Sequence, residues 1–215
     1  MKEAVLLPFG DQSHIDTLLE RLGDMVEAGR EGEFAMLLPS AQLLHGYRQR
    51  LVRTASRQIH LTTFDELVAA ALTSTGTDVS KITGTMVTEI MAYILTTRAN
   101  DLPMLGGYAD SRNMARELAY ALGQMRRANI SPGELETALA ESLDPLLADV
   151  LTVWRDYQTF LTAEKLADIE EQYVRAARSL AAIPWLREIR EFHVCWFFDF
   201  EPLQQEILDK LADTM

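Results

Sequence analysis

Glu191 to Phe200 reads EFHVCWFFDF, the longest segment of this 215-residue chain that is rich in β-branched and aromatic residues and nearly free of charge. Such a run predicts a buried central strand. Glu201-Pro202 then opens an amphipathic helix, with Pro in the first turn and Leu203, Ile207, Leu208 and Leu211 at helical spacing. Strand, tight turn and helix make an α/β unit.

The first 75 residues repeat that unit. Ala4 to Pro8, AVLLP, reads as a short strand ended by Phe9-Gly10-Asp11, and Ile15, Leu18, Leu19, Leu22 and Val26 follow at helical spacing up to Gly29. Phe34 to Pro39 is a second strand, with Ser40 as N-cap of a helix reaching about Arg53. Ile59 to Thr62 is a third, and Thr63 with Glu66 has capping-box spacing ahead of a helix rich in Ala and Leu.

From Ser74 to about Ala182 no alternating run occurs, and the apolar residues fall three and four apart. Val87, Ile90, Met91 and Ile94 form one stripe, Met114, Leu118, Leu122 and Met125 another, and Leu147, Leu151, Trp154, Tyr157 and Leu161 a third. Stripes of this kind are core-facing helices. Ser131-Pro132-Gly133-Glu134 and Asp144-Pro145 mark helix starts. The fold class is therefore α/β, in which residues 1–75 begin the core, 76–185 form a large all-helical insertion and 186–215 return to complete the core.

Composition is that of globular material, 48% hydrophobic and 24% charged. A single cysteine, Cys195, excludes a disulfide framework within these residues and points to a reducing, cytoplasmic setting. The N-terminal apolar run is too short for a signal peptide, and no stretch approaches the ~18 apolar residues of a membrane span. A net charge of −12 repels nucleic acid on average, although a local basic face is compatible with it.

Three β/α units, a helical insertion and a closing strand and helix resemble the first motor domain of superfamily 1 helicases of the UvrD and RecB type. The chain is most similar to the N-terminal region of AddB or RexB, a subunit of a bacterial helicase-nuclease that processes double-strand breaks. Phe34 to Leu51 resembles that family's second strand and helix, and Leu61 to Leu67, LTTFDEL, its TF-x-x-L segment. Trp196 to Phe200 with Pro202, Leu203 and Gln204 resembles the GF-x-x-F-x-P-L signature, and Asp168-Ile169-Glu170 the D-x-E stretch before it. The resemblance implies a P-loop NTPase-like parallel sheet (a 1A-like domain) with a 1B-like insertion. It also implies single-stranded DNA and an AddA/RexA-like motor subunit as partners, with a second motor domain and a nuclease domain further along the protein.

The departures bear on mechanism. Where the resemblance places Gly-Lys-Thr of a phosphate-binding loop, this chain has Ser13-His14-Ile15, and no GxxxxGK[ST] occurs in it. Ile15 cannot ligate magnesium, and His14 is a poor, pH-dependent substitute for lysine. The acidic pair of the last strand falls on Cys195 and Trp196, leaving Asp199 as a single later carboxylate. The expectation is a nucleotide site that has been lost, with no cofactor, no resident metal and no catalytic residue in this segment.

Other constellations are weaker. His14, His45, His60 and His193 are scattered, without metal-ligand spacing. Asp168, Glu170 and Glu171 lie on a helix whose consecutive acids point in different directions, which predicts a solvated surface. Arg50, Arg53 and Arg57 share a helix face and are the candidate phosphate contacts for DNA, with Arg126-Arg127 behind them. Cys195, in mid-strand, is expected to be inert. Two functions compete: a catalytically silent helicase-like domain of a DNA-repair nuclease subunit, and a free-standing interaction module of the same descent with no DNA role.

Overall fold

Phe34–Leu37 (β1) is the strand on which the sheet is built, with all four side chains and the following Leu38 at 0% exposure. The computed structural model describes residues 13–51, 59–76 and 79–214. These fall into two compact units, one of residues 1–75, 176–200 and 204–215, the other of 76–175 with 201–203.

In the first unit, β1 pairs in parallel with β2 (His60–Thr62) on one side and with β5 (Glu191–Val194) on the other, so that Met36 faces Leu61 and His193. Parallel strands are covered on both faces, which is why β1 is an unbroken apolar run. One cover is α1 (Ser13–Glu27), whose Leu18, Leu22 and Met25 pack with Phe34, Met36 and Leu38, and with Leu44 and Tyr47 of α2 (Ala41–Leu51). Ser40 Oγ accepts the Leu43 N–H at 3.3 Å, and Thr63 Oγ1 accepts the Glu66 N–H at 3.2 Å to cap α3 (Phe64–Ser74), both at the positions the sequence marks.

The run 191–200 corrects the reading made of it. Only its first four residues form β5, which lies at the edge of the described sheet and is half-buried, with Val194 exposed. Glu191 and His193 interrupt the apolar pattern, and Glu191 is held by the distant Arg21 through two hydrogen bonds of 2.6 and 2.7 Å. At Trp196 the backbone turns to φ +69°, a left-handed conformation that leaves the extended path. Phe197 is half-buried, so the buried heart of the sheet is β1 and not the run 191–200. The strand expected at Ala4–Pro8 lies outside the described residues.

In the second unit, α4 (Gly84–Thr97), α5 (Arg112–Arg127), α6 (Pro132–Ser142) and α7 (Pro145–Ala163) carry the stripes, and Met91, Leu95, Ala115, Leu122, Val153, Trp154 and Tyr157 are at its centre. Ser131 and Glu134 form a full capping box, and Asp144 accepts the Leu146 N–H at 2.9 Å. The loop before α5 is tied down by buried Asp149, which accepts the N–H groups of Met104 and Leu105 at 2.7 and 2.8 Å. Gly106 there is irreplaceable, since a Cβ would lie 2.0 Å from the Ala99 carbonyl oxygen. This unit is not purely helical: β3 (Ser80–Lys81) pairs in parallel with β4 (Leu166–Ala167), strands too short to show a period in sequence. The last helices are α8 (Ile169–Ser179) and α9 (Pro202–Thr214). No described helix is long and apolar enough to cross a membrane.

Candidate functional site

Parallel strands bring their carboxyl ends to one edge of a sheet, the place where α/β proteins bind ligands. Here that edge is formed by Leu37 and Leu38 at the end of β1, Thr62 and Thr63 at the end of β2, and Cys195 and Trp196 after β5. The Cys195 N–H donates to the Leu37 carbonyl at 3.0 Å and the Leu38 N–H to the Thr62 carbonyl at 2.9 Å. Cys195 is buried, and burial pushes its thiol up to about 11, so it remains a neutral thiol near neutral pH.

Trp196 donates its indole N–H to the Tyr47 hydroxyl of α2 at 2.8 Å, which offsets the cost of its left-handed backbone. Past it, Phe197 and Phe200 meet Phe64 edge-on, with ring centroids 5.4 and 6.4 Å away, while Phe198 is 91% exposed and Asp199 is also in solvent. A protonated thiol and an indole offer a hard cation such as magnesium no oxygen ligand. Among the described residues no group of three His, Cys, Asp or Glu is placed to hold a metal ion. The backbones of Ser13, His14 and Ile15 open α1, and their side chains lie outside the described residues.

The arginine face is only partly visible. Arg50 belongs to α2, but its side chain, together with Arg53 and Arg57, lies outside the described residues. Arg48, two residues earlier, donates to the Leu61 carbonyl at 3.3 Å and lies 3.8 Å from Glu66. It thus blunts the outer edge of β2 beside a cleft of about 250 Å³, walled by His60 stacked on Trp185 at 4.5 Å. Burial lowers the His60 pKa, favouring the neutral ring there.

The acids of α8 overturn the solvated-surface reading. Asp168 is 3% exposed; it pairs with Arg126, itself 8% exposed, accepts the Tyr157 hydroxyl at 2.6 Å, and caps α8 through the Glu171 N–H at 2.8 Å. Glu171 bridges Arg126 and Arg175 at 3.2 and 2.7 Å, and buried Glu170 holds Arg127 at 3.0 Å across Gly123. Burial and the neighbouring Asp168 carboxylate both raise the Tyr157 pKa, so its hydroxyl stays a donor. Three arginines and three carboxylates neutralise one another in the helical unit, and burial removes Arg126 as a phosphate contact, while Arg127 stays partly exposed beside Glu170. Sequence reading missed this cluster because Arg126 and Arg127 are more than forty residues from the carboxylates they pair with. The signal within reach was Tyr157 and Arg126, each in or beside an apolar stripe.

The family model described as ADDB, N-terminal, matches residues 16–215 of the chain. No curated protein matches it.

Proposed function

Since the chain belongs to the AddB N-terminal family, we propose that it is the catalytically inactive, helicase-like domain of a helicase-nuclease subunit in double-strand break repair, acting as scaffold and weak contact for single-stranded DNA. In this reading the sheet of the first unit is a P-loop-type core and the second unit its helical insertion. The observation that carries the proposal is the carboxyl edge of the sheet. Phosphoryl transfer needs magnesium held by oxygen ligands and a cation on the β/γ-phosphates, whereas this edge presents a buried neutral thiol and an indole committed to Tyr47. Ser13-His14-Ile15 at the head of α1 lack the lysine and hydroxyl in the required order.

Titration calorimetry with ATP and magnesium is the test, and the expected result is no binding heat. A micromolar affinity that disappears in His14→Ala would overturn the proposal.

Two features support the DNA contact. Tyr47 of α2, the helix to which Arg50 belongs, is bonded to Trp196, and the exposed ring of Phe198 lies two residues on, a surface on which a base can stack. Three arginines neutralise few phosphates, so affinity in the ordinary non-specific range of about 10⁻⁴ to 10⁻⁶ M is expected, falling with salt. In fluorescence anisotropy at low salt, changing the three arginines to glutamate should abolish the signal. Absence of binding by the unaltered chain at hundreds of micromolar would leave the scaffold role alone.

A further inference from the structure

His60, the first residue of β2, lies face to face with Trp185 of a single helical turn, Pro184–Arg187, with ring centroids 4.5 Å apart and planes 9° from parallel. The pair walls the cleft at the outer edge of β2, which Arg48 lines from α2 and Glu66 and Ala70 from α3. Its two members differ in freedom. His60 is fixed by the parallel pairing of β2 with β1, in register with Ala35. Trp185 is half-buried beside Ile183 and Leu186, which are 0% and 1% exposed, so the turn is anchored and the indole is the part that can swing.

Charge decides what holds this wall shut. A neutral imidazole stacks on an indole readily, whereas an imidazolium demands water that the position withholds. Among the described residues, three charged groups surround the ring: Arg48 and Glu66 in the cleft, and Glu188 just after the helical turn. Arg48 and Glu66 lie 3.8 Å apart and offset one another, which leaves Glu188 as the carboxylate that favours the proton. Burial is the stronger influence and lowers the His60 pKa. Stability from this residue is therefore complete above the ordinary histidine value of about 6.5 and declines as pH falls below it. Protonation favours the arrangement that returns the ring to water.

We propose that the His60–Trp185 stack is a pH-operated gate on this cleft, shut while the imidazole is neutral and opened by its protonation, when the indole swings away. Opening uncovers the outer edge of β2, where Arg48 holds the Leu61 carbonyl.

The test is acrylamide quenching of tryptophan fluorescence in the full chain between about pH 8 and about pH 5. Subtracting the signal of Trp185→Phe isolates Trp185 among the three tryptophans. Trp185 should become more accessible to the quencher as pH falls below about 6.5, and His60→Gln should remove that change. Glu188→Gln, which leaves the stack in place, should move the transition to lower pH. Thermal midpoints give a second readout, in which the unaltered chain loses more on acidification than His60→Gln does. Constant accessibility, or a fall such as a cation–π contact of the charged ring would produce, overturns the gate. So does a transition that persists in His60→Gln or that Glu188→Gln leaves unmoved.

Discussion

Leu37→Asp is expected to abolish folding of the sheet-bearing unit. Leu37 is 0% exposed in the middle strand of the described sheet, with Val194 and Thr62 as its neighbours in register. An aspartate there must either ionise in an apolar interior or stay protonated without partners, and each course costs several kcal/mol. Against a total stability of about 5–15 kcal/mol that is a large fraction. Phe198→Asp, at a ring that is 91% exposed, should by contrast shift stability by no more than about 0.5 kcal/mol. Near-ultraviolet circular dichroism and urea unfolding of the two variants measure the contrast. Equal loss in both would mean that residues 191–200 and not 34–38 form the heart of the sheet.

The second large effect belongs to the helical unit. Asp168→Ala leaves Arg126 buried, and it also removes the acceptor of the Tyr157 hydroxyl and the cap of α8. Breaking one partner of a buried pair costs about 3–5 kcal/mol. For a chain of this size that is a fall in thermal midpoint of roughly 10 °C. The double variant Arg126→Met with Asp168→Leu should recover most of the loss, because removing both charges also removes their desolvation penalty. A single variant that melts with the unaltered protein would show that Asp168 is solvated.

Sequence was sufficient for everything that depends on neighbours in the chain. Ser40, Thr63, Ser131 and Asp144 cap their helices through bonds that span two or three residues. Local geometry makes that spacing visible in sequence. The stripes of α4, α5 and α7 are equally local, since 3.6-residue periodicity places their apolar side chains on one face, and they line the core of the helical unit. The family was likewise legible, in the order of the elements and in the motif segments they carry.

What pairs distant residues was not. The strand that looked central by composition lies at the edge of the sheet among the described residues and is half-buried, because apolar content measures what a segment could bury and leaves open which neighbour covers it. Glu191 reaches Arg21 across 170 positions, and Trp196 reaches Tyr47 across 149. Asp168, Glu170 and Glu171 read as a solvated face, but Asp168 and Glu170 are buried and all three are paired with arginines. Their partners Arg126 and Arg127 come from a helix whose arrival no local rule encodes. Sequence alone determined most of the helices, several of their caps and the absence of a GxxxxGK[ST] motif. Only the tertiary structure decided which strand is buried and which charges are neutralised, because burial and pairing are properties of the contacts between elements and a carboxylate carries no mark of its partner.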